Sequence, residues 1–582
     1  MRFFLQFTIL LLSFSIIAQV GIGTTSPEGA LDIVTSNDTG LIIPRVSSIE
    51  NVTDGNGNDP VNGTIVYDLS RGTTCFYTND KWLCMDTDNN GDPVLTDEST
   101  FQVYNNTGTY FKASNTGDTD RFGASVSMSN DGNTIVFGAT QEDSNATGIN
   151  GNESDNSISN SGAVYVFYRN NGVWVQQAYI KASNPGALDA FGNTLNLSGD
   201  GNTLVVGSSY EDSSATGING DQTNNSATNS GAVYVFTRSS GVWTQQAYIK
   251  ASNTQSNDNF SVDVFLSNNG NILAVSANGE GSNATGINGD QTNNSASYSG
   301  AVYIFTRSGS TWSQQAYIKA SNSEAGDLFG DDVSLSGDGN TLVVSARDDS
   351  SATGINGDQT NNSASVSGAV YVFTRNGSVW VQQAYIKASN AEAGDFFGTS
   401  VSLNSNGNIL AVGANNEDSN ATGENGNQGD NSFSSAGAVY IFKRTGSTWV
   451  QETYLKSSNT GAGDTFGVSV YLSNNGLALA VGAQSEDSNA TGINGDEVNN
   501  SSLGSGAAYV YLYDGSNWVK QVYLKATNTD AGDLLGREVS LSANGSKFVT
   551  IAWQEGSNAT GIGGDETNNS FSDAGAGYFY EN

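Results

Sequence analysis

Residues 122–129, FGASVSMS, alternate apolar and small polar positions in the manner of a half-buried strand. A tight SNDGN turn leads into a second strand-like run, TIVFGA. After a long polar loop comes a third, GAVYVF, and a short YRNNG turn leads to a fourth, VWVQQAYIKAS. The same order returns along the chain. Its opening Phe-Gly-like step stands at Phe122, Phe191, Phe260, Phe329, Phe397, Phe466 and Leu535, at intervals of 69, 69, 69, 68, 69 and 69 residues. Four antiparallel strands per copy, at a period too long for a solenoid coil, predict propeller blades. The ends agree: TFQVYNNTGTYFKAS (100–114) matches a fourth strand, and the chain stops at GAGYFYEN, a third strand. The expected fold is all-β, a seven-bladed propeller of four-stranded blades over residues 100–582. The N-terminal strand closes the ring and removes the open edge.

Phe-Gly opening the first strand and Gly-Ala ending the second (Gly138-Ala139, Gly413-Ala414, Gly482-Ala483) resemble the FG-GAP repeat of the integrin alpha-chain propeller. The GAVYVF third strands are similar to those of bacterial secreted proteins. The resemblance covers residues 100–582 and implies a binding or adhesion propeller. No copy has the Pro of the motif, and blade 7 reads Ala552-Trp553 in place of Gly-Ala. Calcium-bearing FG-GAP repeats carry a DxDxDG-like run between strands one and two. Here that connection is SNDGN, SGDGN or SNNGN, too poor in carboxylates, so those calcium sites are not carried over.

The N-terminus, MRFFLQFTILLLSFSIIAQ, reads as a signal peptide over residues 1–18, cut after Ala18. No other apolar run approaches membrane-spanning length, so the mature chain is expected to be exported, either secreted or at the cell surface, with the periplasm also open. Residues 19–99 read as a small β-rich module ending in an acidic linker. They resemble the N-terminal segments of exported proteins of the Bacteroidetes type and segments near trimeric fibre heads, which implies self-association. In CFYTNDKWLC, a two-residue Asn79-Asp80 turn pairs Thr78 with Lys81, Tyr77 with Trp82, Phe76 with Leu83 and Cys75 with Cys84. The last pair falls at a closely spaced site suited to a disulfide.

The 582 residues carry a formal net charge of −36. That argues against nucleic acid and anionic membrane surfaces as partners and is compatible with cations or basic partners. His is absent and no Gly-x-Ser-x-Gly turn follows a strand, which removes common catalytic groups. A catalytic carboxylate pair belongs to one site, whereas the acids here recur as sevenfold copies. The expected function is therefore non-catalytic binding of an extracellular protein or glycan by an acidic propeller rim. The alternative is a structural surface or matrix component assembled through the N-terminal module, with a glycan-active enzyme third.

Two sets of acids are candidate ligands. An Asp precedes each Phe-Gly step by two residues: Asp120, Asp189, Asp258, Asp327, Asp395, Asp464 and Asp533. In the long loop, two positions three apart hold one Asp and one Asn. The Asp comes first at Asp221, Asp290, Asp358, Asp496 and Asp565, and second at Asp155 and Asp430. The swap suggests two side chains facing one shared centre. An acid also opens each loop, at Glu142, Glu211, Glu280, Asp348, Glu417, Glu486 and Glu555. Calcium, which takes about six to eight oxygens, is one reading. Asx turns, in which Asp and Asn accept backbone N–H bonds, are the other. The recurrent Trp and closing Lys of strand four read as blade-packing and edge-protecting groups.

Overall fold

The computed structural model describes residues 108–349 and 353–582, Tyr104, and short stretches between Val20 and Asp97. The expected signal peptide lies outside the described residues. Two compact units divide the chain, residues 1–85 and 86–582.

In the N-terminal unit, Val20–Ile22 runs parallel to Leu31–Ile33, and Arg45–Val46 parallel to Ile65–Asp68. Ile65–Asp68 then pairs antiparallel with Thr73–Thr78, which forms a hairpin with Lys81–Thr87. The hairpin register is the expected one, with Cys75 directly opposite Cys84 and Thr78 opposite Lys81.

The propeller holds seven four-stranded sheets. The first strands contact one another in a closed circle and so line the axis. Blade 7 takes three strands from the C-terminus and its outer strand, Thr109–Phe111, from the N-terminal side, with Phe111 opposite Gly577. Its second strand also corrects a reading. Ala552 pairs with Ala576 as Ala139 pairs with Ala163, so Ile551-Ala552 holds the Gly-Ala place and Trp553 follows it. The Ile551 side chain packs on Gly123, which has no Cβ to collide with it.

Second strands such as Thr134–Ala139 are buried at every position. Fourth strands such as Val173–Ile180 alternate exposed and buried at first and are then wholly buried. The long polar loop causes the change. Its Ile149 bridges to Ile180, and the Asn150 Oδ1 accepts the Tyr179 backbone N–H at 3.0 Å. The loop thus covers half of the edge that an outer strand would leave bare. Asn150 has φ +54°, a conformation that Asn tolerates better than most residues, and its counterparts recur in the next five blades.

The apolar core forms seven clusters, each between neighbouring blades. In one, Val164 and Val166 of blade 1 meet Phe191, Tyr234 and Phe236 of blade 2. Burying each Phe of this kind contributes roughly 1.5–3 kcal/mol. Polar latches join the same neighbours near the short turns. The Gln177 Oε1 of blade 1 accepts from Trp243 Nε1 at 2.9 Å and from Arg238 at 3.1 Å, while the Arg238 guanidinium lies over the Trp243 ring.

At one end of the axis a ring of backbone hydrogen bonds joins the blades. Asn130 donates to Gly199, Gly199 to Asn268, Asn268 to Gly337, Gly337 to Ser405, Ser405 to Asn474, Asn474 to Ala543, and Ala543 back to Asn130. These N–H···O=C distances span 2.8–3.0 Å and close a complete hub at the end of the axis that carries the first-to-second-strand turns.

Candidate functional site

The seven aspartates before the Phe-Gly steps are buried. Each carboxylate accepts the backbone N–H three residues earlier, as Asp120 does from Gly117 and Asp395 from Glu392. Asp189, Asp258, Asp327, Asp464 and Asp533 repeat the bond at 2.7–2.9 Å. Burial pushes all seven carboxyl groups up to about 7, against the partial opposition of that N–H donor. They fasten the chain as it enters each blade.

The loop positions work separately. Asp221 Oδ1 accepts the Thr223 N–H at 2.9 Å and the Thr223 hydroxyl at 2.7 Å, while Asn224 Oδ1 accepts the Ser226 N–H at 3.1 Å. Asp290, Asp358 and Asp565 repeat the double contact with Thr292, Thr360 and Thr567, and Asp496 accepts from Val498. In the swapped copies Asn152 and Asp155 accept from Ser154 and Ser157, and Asn427 and Asp430 from Gly429 and Ser432. Each member of a pair therefore caps its own Asx turn, and the expected shared centre is replaced by two adjacent ones. An acid and an amide offer the same acceptor oxygen there, which accounts for the swap. The charged groups acting most strongly on Asp120 are Glu142, Asp143 and Lys181, none of them a loop-tip aspartate. The SNDGN turn likewise spends its carboxylate locally, with Asp131 accepting from Ser129 and Asn133.

The loop-opening acids are the hubs of buried networks. Glu142 takes Lys181 Nζ at 2.7 Å, the Tyr179 hydroxyl at 2.8 Å and Asn115 Nδ2 at 3.0 Å. The equivalent Lys–acid pairs are Lys250–Glu211, Lys319–Glu280, Lys456–Glu417, Lys525–Glu486 and, across the closure, Lys112–Glu555. Blade 4 departs from the expectation. Asp349, not Asp348, faces Lys387, and Asp348 pairs instead with Arg347. The period is one residue shorter at this blade, and counting from Ala346 places Asp349 where Glu142 stands after Ala139. The closing lysines are thus fully buried charges paired with carboxylates rather than groups that guard an exposed edge.

Another constellation lies at the axis. Three residues after the Phe of each first strand, the copies read Ser125, Thr194, Asp263, Asp332, Ser400, Ser469 and Glu538. Asp263 Oδ2 accepts the Val333 N–H of the next blade at 2.9 Å, and Asp332 Oδ2 accepts the Val401 N–H at 2.8 Å. The two carboxyl groups also lie within hydrogen-bonding reach of each other. Burial and this like-charged neighbour drive Asp332 well above the carboxylate range, and burial lifts Glu538 to about 7. Asp332 feels the Glu538 charge from across the ring. All three keep partial solvent exposure. Constancy between copies could not reveal them; divergence at this one position is the signal that would have.

Residues 174–236, 312–373, 380–442 and 449–511 match the family described as FG-GAP repeat, and residues 21–94 match a phage tail like trimerisation region. No curated protein matches the chain. Among solved structures, hydrazine synthase of Kuenenia stuttgartiensis aligns at 12% identity and TM-score 0.41, over 73% of this chain and 91% of that one. The Swd1 β-propeller domain of Myceliophteria thermophila aligns at 9% identity and TM-score 0.43, over 82% and 99%. At these scores neither bears on activity or ligand.

Proposed function

The chain is an FG-GAP β-propeller protein, and on that premise we propose that it is a non-catalytic, exported binding protein whose loop-bearing face meets an extracellular protein or glycan. One observation carries the reading: copies that agree in their blade-building residues differ at the mouth of the axis, on the face that also holds the long loops. Residues kept in every copy build the ring, and a single partner needs residues that break the sevenfold repeat. The exposed Asp221, Asp290, Asp358, Asp496 and Asp565 add negative charge to that face, which favours a basic partner surface. The direct contact of Asp263 with Asp332 also fits binding better than glycoside hydrolysis, which needs carboxyl groups roughly 5–9.5 Å apart. Arrays of extracellular proteins and of glycans, probed with the intact mature chain, test this. Saturable binding lost on changing the axial carboxylates is expected, and failure to retain any partner on either array overturns the reading.

The match of residues 21–94 to a trimerisation region favours a second element, self-association through the N-terminal module. Three rigid propellers on one stem would convert a weak site into avid attachment, gaining about 10²–10⁴ where geometry allows simultaneous contact. Light scattering on the full chain should return three times the chain mass, and a monomer at all concentrations removes this part of the proposal.

A further inference from the structure

The junction of blade 7 with blade 1 breaks the repeat at three places that pack together. Trp553 follows a second strand where the other six blades carry a polar residue. Arg537 takes the place of Ala124 in blade 1, and Arg121 the place of Ala190 in blade 2. The Arg537 Cζ lies 4.3 Å from the Trp553 ring centroid, and the Arg121 Cζ, from the next blade, 4.6 Å. Two cations thus share one indole in a chain with 22 bases against 58 acids. Their hydrogen bonds set them apart from the arginines that build the ring. In Arg238, Arg307 and Arg444, each of the three guanidinium nitrogens reaches an acceptor, at 3.0–3.2 Å. Arg169 grips Glu581 with both terminal nitrogens. Arg121 instead meets Asp573 at 3.5 Å and the Gln141 amide oxygen at 3.3 Å, and Arg537 meets Gln484 at 3.2 Å. Arg121 Nε and Trp553 Nε1 are shielded from water and find no acceptor among the described residues. Buried donors are ordinarily paired, so two orphans on stacked side chains mark a missing acceptor.

We propose that this junction is a recognition site for a carboxylate, carried on a protein partner as an Asp or Glu side chain. The proposal rests on the binding reading above and names one group the partner presents. The exposed loop aspartates favour a basic partner surface, and a single acid within that surface, received here, fixes its register. A carboxylate accepts hydrogen bonds without donating any, and a guanidinium offers it paired N–H donors in a matching fork. The indole N–H supplies a further donor beside them. Asp573 stands 3.5 Å from Arg121 and 3.4 Å from Gln554, so it leaves the guanidinium with donors to spare. Three residues before Arg537, the Leu534 N–H donates to Gly504, and the adjoining Leu503 is 70% exposed. This apolar ledge suits the residues that flank an acid in a peptide. A sugar acid fits less well, because the ring on which its sugar would stack already carries two guanidinium groups.

The test is titration of the isotope-labelled full mature chain with acetyl-Leu-Asp-Leu-amide, followed on the indole N–H resonances. The Trp553 signal is identified by its loss in Trp553→Phe. We expect a saturable shift of this one resonance, and none with acetyl-Leu-Asn-Leu-amide. Arg121→Gln or Arg537→Gln should weaken binding by about tenfold or more, through loss of a charged hydrogen bond. Trp553→Phe keeps the stacking ring without the donor and should also weaken binding, read by calorimetry. Arginines on two different blades keep the test informative if one variant fails to fold. An equal shift with the Asn peptide, absence of a saturable shift, or indifference to both arginine substitutions overturns the assignment. Tighter saturation of the same resonance by methyl glucuronide than by the Asp peptide overturns it in favour of an acidic glycan. If the peptide fails while an array partner still binds, the carboxylate site falls and the binding reading stands.

Discussion

Lys112 Nζ lies 2.9 Å from Glu555, across 443 residues of chain, with both side chains sealed from solvent. In six blades this pair joins strands close in sequence; in the seventh it locks the N-terminal strand into the last sheet. Replacing Lys112 with Met leaves a buried carboxylate uncompensated, which costs about 3–5 kcal/mol. Lys250→Met does the same to blade 2 but leaves the closure intact. Denaturant unfolding should show both losses, and limited proteolysis near residue 112 should rise only in the first variant. Equal proteolysis in the two would show that the pair has no special part in closure.

The pH dependence has a definite sign. Burial holds the seven aspartates before the Phe-Gly steps at about 7, against an ordinary value of 3.8. Between those values the folded chain binds protons that the unfolded chain does not, so stability is greatest at the acid end and is lost as pH rises. Glu538 acts in the same sense. Asp221, Asp290, Asp358 and Asp565 are held low by their Thr donors and act oppositely, but only below the usual carboxylate range. Melting temperature should therefore fall from about pH 5 to about pH 8. A flat or rising profile would contradict the burial argument.

At the loop tip, exchanging the pair by Asp221→Asn with Asn224→Asp should be silent in thermal melting, because each turn keeps an acceptor oxygen. Asp221→Ala should cost about 0.5–1.5 kcal/mol, the worth of a lost turn hydrogen bond. The same melts in millimolar calcium decide between the two readings of these residues. A rise in melting temperature abolished by Asp221→Ala would place an ion there; the turn geometry predicts no shift.

The facing of Cys75 and Cys84 predicts a disulfide between them. Peptide mapping without reductant should recover residues 75 and 84 on one linked species. Reduction should destabilise the N-terminal unit by roughly 2–3 kcal/mol on the chain-entropy account, leaving the propeller transition in place. Two free thiols in protein isolated from an oxidising compartment would refute it.

Strand order, blade number and the closing strand were all readable because each rests on periodicity, which recurs seven times. The hairpin register of Cys75 and Cys84 was readable because a two-residue turn leaves one pairing. The role of the long loop was not. Its Ile149 and Asn150 bind a fourth strand some thirty residues on, and polarity alone marks such a segment as solvated. Blade 4 is one residue short, so counting back along the loop points to Asp348, and only the position of Lys387 decides that Asp349 is the buried acid. The axial trio is invisible to a search for repetition, because Asp263, Asp332 and Glu538 stand out only through their difference from Ser125 and its equivalents.

The backbone hub from Asn130 to Ala543 makes repeat number a folded-state property rather than a detail of the gene. Nearly identical tandem repeats invite unequal recombination, which adds or deletes whole copies. A chain that has lost one copy keeps six donors and six acceptors, but every blade must then tilt by a new angle to bring the first to the last. The side chains between blades, packed for seven, oppose that tilt at every boundary. Miscounted descendants would therefore be exposed as open, protease-sensitive rings, and selection on folding alone would hold the count at seven while the residues around the mouth remained free to change.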